Sequence, residues 1–215
     1  MRSSRRSIAH PAAVLVALSI LIAARDPRAP SLHAETGAPP SIVYRIDPAR
    51  SRVSFTLPAT LHTVEGNTSS VTGEFTRPAD AAPSGFPVAG RIAIDAKTLD
   101  TGNRTRDKRM RAESLAVDTW PEIVFLPRKA GGAGISFVPG SESKMTLEGD
   151  LTIRGITKPA SIALTVKAAA RGIAADGTTT VAFPDFGVPD PSNFFLHVRT
   201  TVTILFHIEA ESLDR

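Results

Sequence analysis

Leu-His-Val-Arg-Thr-Thr-Val-Thr-Ile-Leu-Phe-His-Ile-Glu, residues 196–209, carries the pattern that decides the fold. Leu196, Val198, Val202, Ile204, Phe206 and Ile208 fall on one parity; His197, Arg199, Thr201, Thr203, His207 and Glu209 fall on the other. Side chains of a β-strand point alternately to its two faces, so this is a strand with one dry and one wet side. Such half-solvated strands belong to antiparallel sheets, because parallel sheets are covered on both faces and give unbroken apolar runs.

The same period recurs upstream. Ile42, Tyr44 and Ile46 alternate with Val43, Arg45 and Asp47, and Val53, Phe55 and Leu57 with Arg52, Ser54 and Thr56. Met145, Leu147, Leu151 and Ile153 alternate with polar neighbours, and Ile162, Leu164 and Val166 continue the series. Turn signals separate the runs: Asp47-Pro48, Gly66-Asn67, Pro83-Ser84-Gly85, Gly131-Gly132, Pro139-Gly140 and Asp176-Gly177. The expected fold class is all-β, a single antiparallel barrel of about eight strands over residues 42–212. One segment departs from the period. Charge and helix-formers after Asp100-Thr101-Gly102-Asn103 predict a short helix near residues 103–112.

The first 34 residues read differently. Arg2, Arg5 and Arg6 precede an apolar run from Ala12 to Ala24, and small residues follow up to Ala34. That order is a secretory signal peptide, and the run is short of the ~20 apolar residues a membrane span needs. Ser4-Arg5-Arg6-Ser7-Ile8 is similar to the twin-arginine export pattern, although His10 stands where lysine is usual; the general and twin-arginine routes both remain open. Residues 35–41 read as a disordered lead-in, and the expected location is the periplasm, with the leader removed.

The leader also explains the charge. The chain has a formal net charge of +4 and a sequence pI near 9.8. Residues 1–34 hold five arginines (Arg2, Arg5, Arg6, Arg25, Arg28) against Asp26, so everything from Glu35 onward is formally neutral. Neutrality removes the electrostatic attraction that non-specific nucleic-acid binding relies on, and nucleic acid is not an expected partner. There is no cysteine, which excludes disulfides, thiolate catalysis and cysteine-ligated zinc.

An ordered set of short motifs carries a family resemblance. Tyr44-Arg45-Ile46-Asp47-Pro48 leads into Ser51-Arg52-Val53-Ser54-Phe55, then Leu61-His62-Thr63-Val64-Glu65-Gly66 and Val71-Thr72-Gly73-Glu74-Phe75. Leu99-Asp100-Thr101-Gly102-Asn103, Arg106-Asp107-Lys108-Arg109-Met110, Trp120-Pro121-Glu122-Ile123-Val124-Phe125 and Leu147 through Pro159 follow in order. The set resembles the YceI-like family of bacterial periplasmic proteins over nearly the whole chain after the leader. The resemblance implies a lipocalin-like barrel binding a polyisoprenoid lipid, an isoprenoid quinone or a polyprenyl phosphate. Many relatives place a histidine directly after the second strand; here Pro58 is followed by Ala59, and the histidine comes at His62.

A long isoprenoid would bury several hundred Å2 in such a barrel, on the order of 10–15 kcal/mol at ~25 cal/mol/Å2 before ordering costs. Candidate interior contacts are Phe55, Leu57, Leu61, Met110, Phe125, Leu147, Leu151, Leu164, Val202 and Ile204. Alternation alone does not distinguish a ligand tunnel from a filled core. His62, Arg104 and Lys108 are the head-group candidates. His62 would act as a hydrogen-bond donor at a barrel mouth. Arg104, Lys108 and Arg111 share one helix face by spacing, suited to anionic head groups and to transient contact with a membrane surface, or simply to solvent. No catalytic residue, metal site or cofactor is expected: Gly-x-Ser-x-Gly and the zinc-protease helix motif are both missing. The rival readings are an enzyme on a similar lipid, using His62, Glu65 and Asp107, and a structural or stress-related module with a filled barrel. Oligomeric state is not legible.

Overall fold

In the computed structural model, residues 40–60, 62–190, 192 and 199–213 are described. The leader, most of the lead-in, Leu61, and the beginning of the 196–209 stretch lie outside them.

Eleven strands form one antiparallel sheet: β1 (Ser41–Ile46), β2 (Arg52–Pro58), β3 (Thr63–Thr68), β4 (Val71–Pro78), β5 (Gly85–Pro87), β6 (Ala89–Asp95), β7 (Glu122–Gly132), β8 (Glu142–Ile153), β9 (Ile156–Ala169), β10 (Gly172–Ala182) and β11 (Thr201–Ser212). Pairing runs β1-β4-β6-β7-β8-β9-β10-β11 and returns to β1 through Tyr44 opposite Ser212 and Ile46 opposite Ala210. Eight strands therefore close a barrel, in agreement with the count expected from the alternation, and closure pairs the two ends of that path with each other.

Three of the eight staves are interrupted, one of them where β5 and β6 both lie along β7. β1 and β2 both lie along β11, but Ile46 faces Ala210 and Arg52 faces His207. Six steps on one chain thus match three on the other, and Asp47–Ser51 is extruded as a turn. The Asp47 carboxylate accepts the Ala49 N–H at 2.9 Å, the local closure that an Asp-Pro pair favours. β3 similarly passes into β4. Its other edge carries a single bridge, Asn67 to Asp100, with N···O distances of 2.9 and 3.0 Å.

That edge is flanked by the predicted helix, α1 (Arg104–Arg109), which continues into one wide turn over Met110–Ser114. Asn103 caps it, its side chain accepting from the Thr105 and Arg106 N–H groups at 3.1 Å. The β8–β9 hairpin turns on Arg154 and Gly155, both at positive φ (52° and 74°), as a two-residue turn requires. Gly155 also lies under Trp120, where a Cβ would stand 2.4 Å from the indole nitrogen. Arg154 reaches the carbonyls of Glu113 and Ser114 at 3.2 and 3.1 Å, tying the hairpin to the helical segment.

Inward residues keep the period of two except at Arg128. There the register of β7 against β8 shifts, so Phe125 and Pro127 point inward before the bulge and Ala130 after it. Glycines shape the wall as well. Gly177 pairs with Phe206, and a Cβ there would lie 2.2 Å from Phe206 Cζ and 2.8 Å from the Ala163 oxygen. Gly66 opposite Phe55 repeats the arrangement. The missing side chain lets each ring lie along the wall instead of across the lumen. Gly177→Ala should cost about 1–3 kcal/mol by overpacking, read as a lowered denaturation midpoint; an unchanged midpoint would mean the ring moves freely.

Candidate functional site

The inward faces enclose a cavity of about 340 Å3. Nearly every lining side chain is a hydrocarbon; among the described residues polar atoms enter only with Tyr44, Arg77, Ser114 and Thr179. An apolar space of this kind is poorly held by water and well suited to an apolar guest. Hydrophobic side chains gather in several patches around it, one built on Phe86, Met145 and Val166, another on Tyr44, Val71 and Ala210, a third on Phe125, Leu151 and Val181.

Of the interior candidates, Phe55, Leu57, Met110, Phe125, Leu147, Leu151, Leu164, Val202 and Ile204 line the cavity. Leu61 lies outside the described residues. Met110 arrives from the wide turn after α1, packing with Leu115 and Phe55 against Leu99 and Val117. The head-group candidates are elsewhere: His62, Arg104 and Lys108 are exposed and contribute nothing to the lining. Among the described residues the lining contains no histidine and no carboxylate. Among the described residues no group of three His, Asp or Glu side chains could hold a metal ion. His207 instead pairs on the surface with Asp176 at 2.7 Å, and that hydrogen bond raises its pKa.

The basic helical segment divides by role. Arg106 donates to the Thr101 hydroxyl and carbonyl, both at 2.8 Å, and Arg111 to the Leu99 carbonyl at 2.8 Å, so these two hold the preceding loop. Asp107 is buried at their centre and accepts from the Thr101 N–H (3.0 Å) and hydroxyl (2.6 Å). Burial alone would raise its pKa; the hydrogen bonds from Thr101, with Arg111 nearby, outweigh burial and lower it. A depressed native pKa stabilises the fold above the unfolded value near 3.9 and is lost as pH falls through the native one. Asp107→Asn should therefore cost about 1–3 kcal/mol at pH 7. In acid denaturation curves the gap from the parent should narrow only below about pH 4; a gap independent of pH would refute this origin.

One feature of the lining was not singled out from the sequence. Arg77, 7% exposed, enters the cavity wall on the parity of Val71 and Phe75, and the alternation Val71-Gly73-Phe75-Arg77 carries that signal. A charged residue at the end of a strand is ordinarily read as solvated. Its Nε and Nη2 donate to the Tyr44 hydroxyl at 3.3 and 3.1 Å, and Nη1 to the Pro78 carbonyl at 2.8 Å. The guanidinium lies 3.8 Å from the Phe137 ring centre and 5.7 Å from that of Tyr44, itself stacked on Phe75. Among the described residues no carboxylate forms an ion pair with it.

Comparison with known proteins fits this geometry. The profile of the YceI-like domain matches residues 44–210, almost the entire barrel. The chain belongs to the YceI-like family. One relative, a UPF0312 protein of Pseudomonas putida (strain W619), is 32% identical over 121 residues, 50% of this chain and 57% of that one. The chain thus spans little more than half the length of such curated relatives. Among solved structures, BcnA of Burkholderia cenocepacia superposes with a TM-score of 0.62 at 19% identity, covering 76% of this chain and 98% of BcnA. A polyisoprenoid-binding domain from Saccharophagus degradans implicated in plant cell wall breakdown gives 0.62 at 15% identity, covering 79% and 98%. At those identities the likeness establishes the lipocalin-like YceI barrel.

Proposed function

We propose that this YceI-like protein is a periplasmic binding and carrier protein for a long apolar lipid of the isoprenoid class, held inside the barrel. Isoprenoid quinones and polyprenyl phosphates are the first ligands to try. The observation that carries the reading is the cavity: ringed by eight strands, lined almost wholly by hydrocarbon and, among the described residues, without a histidine or carboxylate. The description of the Saccharophagus domain as polyisoprenoid-binding supports the same class of cargo. A periplasmic location rests on the sequence of residues 1–34, with its basic start and apolar run.

The test is native mass spectrometry of protein purified from its own periplasm, followed by organic extraction of any adduct. A stoichiometric isoprenoid mass is expected, on a chain shortened by its leader. A bare polypeptide mass that persists after incubation with quinones and polyprenyl phosphates would overturn the carrier reading and leave a structural module with an empty lumen. A chain that retains residues 1–34 would overturn the cleavage step alone.

A further inference from the structure

Within the carrier reading, on which it rests, we infer that the ligand enters head-first and seats a monoanionic head group, a carboxylate, against Arg77 and Tyr44. The guanidinium is a permanent charge withdrawn from water. Buried charges are ordinarily paired, because attraction to a counter-ion offsets the lost hydration. Here no carboxylate among the described residues supplies the counter-ion, and the Phe137 ring lies over one guanidinium face. Tying Tyr44 and the Pro78 carbonyl to one another needs only neutral donors. The cation–π contacts with Phe137 and Tyr44 offset only part of the lost hydration, so the charge is left without a counter-ion among the described residues.

The donor inventory shows what is left to bind. A guanidinium has five N–H groups, and three are engaged, two on Tyr44 and one on Pro78. The Tyr44 oxygen accepts from Arg77, which leaves its own proton to donate. Two N–H groups and the Tyr44 O–H therefore remain to be used, and a carboxylate, with two oxygens, is a partner that arginine recognises well. Charge selects among head groups. Among the described residues Arg77 is the only charged one in the lining, so a single negative charge is neutralised. A quinone carbonyl would leave the cation unpaired, and a phosphate monoester, at about −1.5 to −2 near pH 7, would overshoot it.

Three probes sharing one chain decide the matter: geranylgeraniol, geranylgeranoic acid and geranylgeranyl monophosphate, titrated into delipidated protein. The parent should bind the acid roughly tenfold or more tighter than either of the others. Arg77→Met should bring the acid-to-alcohol ratio to about one, and Arg77→Lys should retain part of it. Equal affinity of the parent for acid and alcohol would overturn the head-group assignment while leaving the carrier reading intact. So would a ratio that survives in Arg77→Met, or an Arg77-dependent preference for the phosphate. Failure of all three probes to bind would overturn the carrier reading itself. Comparison of the three ligands on the parent does not depend on any variant folding.

Discussion

Leu147→Phe combined with Ile204→Phe should abolish high-affinity lipid binding while leaving the barrel as stable as before, or more so. Both side chains line the cavity, and each packs against two of the hydrophobic patches: Leu147 joins those of Met145 and Phe125, Ile204 those of Val71 and Phe125. They stand on β8 and β11, three places apart in the ring of eight, so the added rings invade the lumen from well-separated walls. In a close-packed core this enlargement would cause strain. Here the rings enter space already empty, and gain contacts the cavity wall lacks. A guest displaced from the equivalent of about four to six methylenes loses about 3–5 kcal/mol, or roughly two to four orders of magnitude in Kd. The measurement pairs a lipid titration with a thermal melt. Unaltered affinity would mean the lipid does not occupy the lumen, and a collapsed melting point would mean the space is needed by the fold.

How far the sequence reveals this arrangement depends on what each element demands locally. β8 and β11 are long strands with regular alternation, and their inward faces are readable directly. The helix is readable because Asn103 is a capping residue placed ahead of a charged, strand-poor segment. The bulge at Arg128 is not: nothing in Pro127-Arg128-Lys129 announces that the parity of β7 changes there. The split of one stave into β1 and β2 is half-visible in Asp47-Pro48, which predicts a turn but not that both halves lie along β11. Whether the interior is filled or hollow is set by tertiary geometry, such as Gly177 and Gly66 laying Phe206 and Phe55 along the wall. Arg77 shows the limit of binary patterning. Its position in the period places it inside, its charge argues outside, and only the closure of the barrel around Tyr44 and Phe137 decides.

Tyr44→Ala should be the most damaging single substitution in the barrel, and it tests how that cation is held. Tyr44 is 4% exposed, on the strand that closes the barrel against β11, and its ring stacks on Phe75 at 5.3 Å between centroids. Truncating a buried ring of this size costs about 3–5 kcal/mol. It also removes the acceptor for two Arg77 nitrogens, adding a stranded donor worth about 1–3 kcal/mol. The sum approaches the whole stability of an ordinary domain, about 5–15 kcal/mol, so the variant should be partly unfolded at ambient temperature. Tyr44→Phe separates the two contributions, keeping the stack and losing only the hydroxyl. Its cost, about 1–3 kcal/mol by urea denaturation, should arise from the guanidinium left behind. Introducing Arg77→Met into that background should then recover most of the loss, since an apolar side chain needs no acceptor. If the two substitutions are instead additive, the hydroxyl stabilises the barrel independently of Arg77, and the hydrogen bonds between them carry no energetic coupling.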